Sequence, residues 1–71
     1  MNKERRKRII GAIQKIEELL RDILDEEQEA FDNMPESLQS SENGMNSEEA
    51  QENLDYAIEA LEEAIGYLEE I

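Results

Sequence analysis

The chain has 71 residues, of which 38% are charged and 4% aromatic, and its net charge at pH 7 is −13. A chain of this length forms at most one small domain and buries about 60% of the surface that its unfolded form exposes. Because it has no cysteine and no histidine, disulfides, thiolate nucleophiles, Ser-His-Asp triads and the usual zinc sites are excluded. Its apolar residues are mainly Ile, Leu and Ala, which favour helices over strands, so we expect an all-α protein.

The N-terminal third differs sharply in charge from the rest of the chain. Residues 1–21 hold all seven basic side chains and three acidic ones, a net +4, whereas residues 22–71 hold 17 acidic side chains and no basic one. The basic start is similar to a signal peptide, but its apolar run of about five residues is too short for export or for a membrane span. We therefore expect a cytoplasmic protein without a membrane partner.

Apolar residues in the first half recur every three or four positions, which is the period of one face of an α-helix. Ile10, Leu19 and Leu24 lie beside this stripe and widen it. The pattern predicts helix 1 over about residues 3–33. Its expected core or dimer positions are Ile9, Ile13, Ile16, Leu20, Ile23 and Phe31.

The stretch AFDNMPESLQSSENG, residues 30–44, contains the chain's single Phe and its single Pro. Pro35 disfavours a helical conformation at Met34 and fits the first turn of a new helix. We expect Gly44 to end that short helix in the left-handed conformation. The sequence thus predicts a folded connector over about residues 34–46.

The second half contains a heptad repeat, LDYAIEA, LEEAIGY and LEEI, in which Leu and Ala alternate along one stripe. Alanine lets another helix approach closely, and the stripe is wider than a two-stranded coiled coil requires. Asn46 is the expected N-cap, so helix 2 covers about residues 47–70. Its expected core or dimer positions are Leu54, Ala57, Ile58, Leu61, Ala64, Ile65 and Leu68.

Two long helices with a short connector predict a single antiparallel helical hairpin. This pairing brings the basic segment Lys3–Arg8 next to Glu62, Glu63, Glu69 and Glu70. Each exposed ion pair contributes about 0 to 1 kcal/mol, but a cluster of pairs fixes the register. The alternative is a basic arm that binds nucleic acid or anionic lipid. The negative charge of the rest of the chain opposes it, so direct nucleic-acid binding is not expected.

A lone hairpin leaves much of these apolar stripes in water. We therefore predict a coiled-coil-like hairpin that pairs as a homodimer into an antiparallel four-helix bundle. A groove that accepts a helix of another protein remains the alternative.

The residue inventory also argues against an active site. The three glycines are isolated and form no phosphate-binding loop. Carboxylates around Asp25 have helical spacing, but without a Glu-x-x-His pattern they are typical of a solvated helix face. We predict no catalytic residue, no cofactor and no metal, and hence no enzyme.

The stretch ILDEEQEAFDNMPESLQSSENG, followed by NLDYAIEALEEAIGYLEEI, resembles a group of short, acidic, mostly uncharacterised helical proteins of phages and mobile elements of Gram-positive bacteria. The resemblance covers roughly residues 23–71, and its Pro-containing segment is the most specific part. It implies a small protein in the cytoplasm of a bacterial host cell that blocks or redirects a host factor. It implies no functional residue.

Two functions remain open. The first is a protein-binding inhibitor or regulator of a host nucleic-acid-handling or defence protein, in which rows of Glu imitate phosphates as a DNA mimic and meet a basic surface. The second is a structural dimerisation module whose acidity serves only solubility. Phe31 and Met34 either close the end of the core or contact a partner. The candidate partner contacts are Leu38, Met34, Tyr56, Glu48, Glu52, Asp55, Glu59, Glu62 and Glu63.

Overall fold

The computed structural model describes all 71 residues and contains three helices. These are α1 (Lys3–Asp32), α2 (Glu36–Gln39) and α3 (Glu42–Glu69). There is no strand, so the all-α prediction is confirmed. The molecule is a rod whose principal extents are 54 × 15 × 11 Å, because α1 and α3 lie side by side along nearly their whole length.

The two long helices run antiparallel, as the hairpin prediction requires. Three hydrogen bonds connect early residues of α1 to the C-terminal end of α3 and a residue that follows it, and late residues of α1 to early residues of α3. The pairs are Arg6 with Ile71, Arg21 with Glu62, and Glu27 with Ser47.

Helix α1 is bounded by an N-cap at its start and by a proline shortly after its end. The Asn2 side chain accepts a hydrogen bond of 2.8 Å from the backbone N–H of Arg5, which satisfies one of the unpaired donors of the first turn. Asn33 is the C-cap. The helix stops there because Pro35 disfavours a helical conformation at the residue before it.

Helix α3 begins at Glu42, five residues before its predicted start at about 47, because Ser41 is the N-cap and accepts a hydrogen bond from the Gly44 backbone N–H. Gly44 therefore lies in the first turn of α3, and no glycine in the chain has a positive φ. The prediction that Gly44 ends the short helix in the left-handed conformation is wrong. Glycine is needed for space instead, since a Cβ at this position would overlap the carbonyl oxygen of Gln39.

We call the residues between α1 and α3 the seam. It has the heptad spacing of a coiled coil, but its core is thin. Leu24 and Ile58 are the only apolar side chains with less than a tenth of their surface exposed, and no large side chain is completely buried. The seam consists of Ile10, Ile13, Glu17, Leu20, Leu24, Glu27 and Phe31 from α1 and Gly44, Ser47, Gln51, Leu54, Ile58, Leu61, Ile65 and Leu68 from α3.

The wide apolar stripe predicted on α1 divides in the structure. A single neighbouring helix covers only the narrow stripe that faces it, and this stripe includes Ile10 and Leu24. Ile9, Ile16 and Ile23 lie outside the seam with 39%, 49% and 39% of their surface exposed. On α3, Ala57 is exposed and Ala64 lies at the border of the seam. The other predicted core positions lie in the seam: Ile13, Leu20, Phe31, Leu54, Ile58, Leu61, Ile65 and Leu68.

Candidate interaction surfaces

The ion pair between Arg21 and Glu62 defines two sides of the hairpin. Each of these residues directly follows a seam leucine, Leu20 or Leu61, and their side chains meet at 2.6 Å. Residues that directly follow these leucines therefore point to the same side from both helices. Successive residues are rotated by about 100° around a helix, so residues that directly precede Ile10, Glu17 and Leu24, or Gln51, Ile58 and Ile65, point to the opposite side.

On the side of Arg21, α3 presents a continuous line of carboxylates that we call the acidic row. Its members recur every three or four residues, all are exposed, and only the last one has an ion-pair partner. The row covers 14 helical steps, about 21 Å, so its carboxylates are about 5 Å apart along the axis. The acidic row consists of Glu48, Glu52, Asp55, Glu59 and Glu62.

Tyr56 lies next to the acidic row with 57% of its surface exposed. Its hydroxyl donates a 2.9 Å hydrogen bond to Oε1 of Glu52. This hydrogen bond, together with the negative charges of Glu52 and Glu59, raises the pKa of the Tyr56 hydroxyl above its ordinary value. Glu63 is exposed on the neighbouring outer side of the helix. The structure thus gathers seven of the nine predicted partner contacts on one part of α3.

The other two predicted contacts, Leu38 and Met34, lie at the connector. Leu38 is 52% exposed, whereas Met34 and Phe31 are half-buried. The Gln39 amide nitrogen donates hydrogen bonds of 3.2 Å to the carbonyl oxygens of both Phe31 and Met34. These two hydrogen bonds hold α2 against the end of α1. Sequence reasoning missed Gln39, and no pattern in the sequence distinguishes it from an exposed glutamine.

The basic segment does not form the predicted cluster of ion pairs with the end of α3. Arg6 is the one member whose side chain forms a hydrogen bond to the other end of the chain, donating one of 2.6 Å to the carbonyl oxygen of Ile71, two residues beyond the end of α3. Both ion pairs of the chain are made by Arg21, so Glu63, Glu69 and Glu70 have no cationic partner. The predicted pairing fails because Arg5 and Arg8 line a groove on the outside of α1 instead of facing α3.

The side opposite the acidic row is almost free of charge, and we call it the apolar face. Several of its side chains are more than half exposed: Leu19 by 57%, Tyr67 by 70% and Ile71 by 54%. At one end it includes the shallow groove that Arg5 and Arg8 border. Ala12, Ala60 and Tyr67 of this face belong to no contact surface predicted from the sequence. The apolar face consists of Ile9, Ala12, Ile16, Leu19 and Ile23 from α1, Ala57, Ala60, Ala64 and Tyr67 from α3, and the C-terminal Ile71.

Polar side chains interrupt the seam at two levels. Ser47 donates a 2.8 Å hydrogen bond to Glu27, and Gln51 donates one of 3.4 Å to Ser47. Glu17 has only 12% of its side chain exposed; its Oε2 lies 3.6 Å from Arg21, but its Oε1 is buried without a hydrogen-bond partner. A buried polar atom without a partner, such as Oε1 of Glu17, lowers the free energy of unfolding relative to an apolar side chain of similar size.

No group of three or more acidic side chains converges as ligands of a metal ion would. Neither long helix combines the length and the apolar character needed to cross a membrane. Comparison with protein-family models, with curated proteins and with solved structures found no match to this chain.

Proposed function

We propose that this chain is a small, acidic, non-enzymatic protein-binding module of a phage or mobile element, which acts in the cytoplasm of the bacterial host cell. In this proposal it inhibits or regulates a nucleic-acid-handling or defence protein of the host by occupying a basic surface. The observation that carries the proposal is the acidic row, in which four of five carboxylates have no cation beside them.

The acidic row supports phosphate mimicry because its negative charges form a regular line and four of the five have no cation beside them. Its carboxylates follow one another at about 5 Å, compared with one charge per about 3.4 Å along each strand of duplex DNA. The net charge of −13 adds a long-range field that speeds the approach to a basic partner and weakens as ionic strength rises. A surface that binds phosphates in a row is therefore a suitable partner for this helix.

The test is capture from host lysate followed by elution with rising salt. We expect a retained nucleic-acid-binding protein to elute at moderate salt and to be displaced by added duplex DNA. A row variant, in which Glu48, Glu52, Asp55 and Glu59 are changed to their amides, should lose that protein.

The matched control changes Glu26, Glu29, Asp32 and Glu36 to their amides, so that net charge is the same in both variants. The control should retain the partner. Equal losses in both variants would show that only net charge matters and would contradict a role for the acidic row.

A structural dimerisation module is the second candidate, and the apolar face favours it. In this proposal two hairpins form a dimeric four-helix bundle, the acidity serves solubility, and the connector presents Leu38 to other proteins. A contact anchored by an exposed leucine changes little with salt, whereas an acidic row loses its partner steeply. The same salt series therefore distinguishes the two functions.

A further inference from the structure

The hairpin exposes more surface than a folded monomer of its mass. A monomer of 8.2 kDa is expected to expose about 4,500 Å², whereas this chain exposes 5545 Å². The excess of about 1,000 Å² is close to the 800 Å² that each partner typically contributes to a stable protein–protein interface. One further contact of ordinary size would therefore bring the chain to the exposure of a stable fold.

We infer that a second copy of this chain covers the apolar face, with the two connectors at opposite ends of the resulting four-helix bundle. This inference rests on the dimer proposed above and adds the face by which the copies meet and their relative direction.

Side-chain size on the apolar face suits self-association. The members from α1 are mainly large, such as Ile16 and Ile23, whereas those from the middle of α3 are alanines, such as Ala57 and Ala64. When two copies meet with their connectors at opposite ends, α1 lies against α1 of the other copy and α3 lies against α3. The isoleucines of the two α1 helices can then interdigitate, and the alanines let the two α3 helices approach closely.

The distribution of charge along the rod determines the direction. Residues 22–55, which form the half of the rod at the connector, contain twelve acidic side chains and no basic one, a net charge of −12. Residues 1–21 and 56–71, which form the open half, contain seven basic and eight acidic side chains, a net charge of −1. Nearly all of the excess charge therefore lies at one end of the molecule.

Packed helices are about 8 to 10 Å apart, which is within about one Debye length at physiological salt. Two copies with their connectors at the same end would place two halves of charge −12 beside each other. With the connectors at opposite ends, each such half lies beside the nearly neutral half of the other copy. The groove bordered by Arg5 and Arg8 then lies next to the acidic connector half of the second copy, which includes Glu26 and Glu29.

A distance measurement tests the direction. The chain has no cysteine, so Ser37→Cys, at an exposed position of α2, introduces a single site for a spin label. Because the rod is 54 Å long, we expect a dimer mass and a label-to-label distance of about 50 Å or more. A dimer with labels about 20 to 30 Å apart, the width of a bundle, would overturn the inferred direction while leaving the dimer intact. A monomer mass at every concentration would overturn both, and neither result bears on the acidic row, which the salt series tests separately.

Two substitutions test the face. Ile16 is 49% exposed on the apolar face, and Met45 is 63% exposed elsewhere on α3. We expect Ile16→Asp to raise the dimer dissociation constant at least tenfold and Met45→Asp to leave it unchanged. Ala60→Glu, at an exposed helical position of the apolar face, should act like Ile16→Asp and serves if that variant unfolds. Dimers of unchanged affinity in the variants of the apolar face would overturn the assignment of this face.

Discussion

Arg21 on α1 and Glu62 on α3 form the one ion pair that joins the two long helices, with Nη2 of the arginine 2.6 Å from Oε1 of the glutamate. The pair places charge on one side of the hairpin and leaves the isoleucines of α1, such as Ile16, on the other. The same arginine also lies 3.6 Å from Glu17 on its own helix. Arg21 is thus shared between an exposed carboxylate and a mostly buried one.

This sharing predicts unequal effects for the two partners of the ion pair. Glu62→Gln should lower the free energy of unfolding by less than about 1 kcal/mol, because both side chains are about half exposed. Arg21→Gln should cost clearly more, since it leaves Glu17 in the seam without a cation. Urea unfolding of both variants measures the difference. Equal losses would show that Glu17 gains nothing from the arginine.

Replacing Glu17 by leucine should stabilise the hairpin. The carboxylate has one oxygen buried without a hydrogen bond, and an apolar side chain in the seam avoids that cost, so we expect a gain of about 1 kcal/mol or more. Glu18→Leu is the control on the adjacent exposed position and should change stability by no more than about 0.5 kcal/mol. A destabilised Glu17→Leu protein would indicate that the Arg21 contact outweighs the burial cost.

The three glycines should respond differently to alanine. Gly44→Ala should destabilise the protein, because the new Cβ would overlap the backbone of Gln39. A Cβ at Gly11 or Gly66 meets nothing within 4 Å, so alanine at either position should raise the free energy of unfolding by about 1 kcal/mol through its helix propensity. Thermal unfolding of the three variants checks both signs. A tolerated Gly44→Ala would mean that α2 is free to move away from α3.

The connector should contain one structural and one accessible apolar side chain. Phe31→Ala should lower the free energy of unfolding by about 2 kcal/mol, because the ring is half-buried where α1 meets the connector. Leu38→Ala should change it little, since Leu38 is 52% exposed. If the connector binds a partner, Leu38→Ala should weaken that binding without changing the melting temperature. A large loss of stability for Leu38→Ala would show that the connector is a closed turn.

The stability that the Tyr56 hydroxyl contributes to the fold should depend on pH in the alkaline range. The hydrogen bond to Glu52 and the nearby negative charges raise the pKa of Tyr56 in the folded state. The contribution of the hydrogen bond to stability is therefore present below the ordinary tyrosine pKa and is lost as pH rises through the raised value. In a Tyr67→Phe background, where Tyr56 is the single tyrosine, ultraviolet titration should show its pKa falling on Glu52→Ala. Glu48→Ala should have a smaller effect, and a pKa unaffected by Glu52→Ala would contradict the contact.

The hairpin was predictable from sequence because the apolar periodicity gives two long helices and the connector between them is short. The rotation of α1 about its own axis was not predictable. Positions 9 and 10 are both isoleucine, and the sequence does not reveal whether Ile9 or Ile10 faces the neighbouring helix. The seam also accepts Glu17 and Glu27, whose long side chains reach polar partners from positions that a purely apolar pattern would reject. The resulting rotation decides which isoleucines remain exposed.

At the ends of the helices, residue type alone was ambiguous. Gly44 is compatible with a left-handed helix end and with close packing, and only the position of Gln39 distinguishes the two. Ser41 and Asn46 are both suitable N-caps, and the structure selects Ser41. Lys3–Arg8 and the glutamates of α3 have opposite charges, but long exposed side chains gain too little from pairing for the sequence to specify partners.

The uneven charge along the rod has a consequence for how the proposed dimer would engage its target. With the connectors at opposite ends, the two halves of net charge −12 lie at opposite ends of the dimer, one contributed by each copy. Such a particle is bivalent, and a target with two basic sites about 50 Å apart would bind both ends at once. The second contact then forms at high effective concentration, so affinity for a paired or repeated target exceeds that for an isolated basic site.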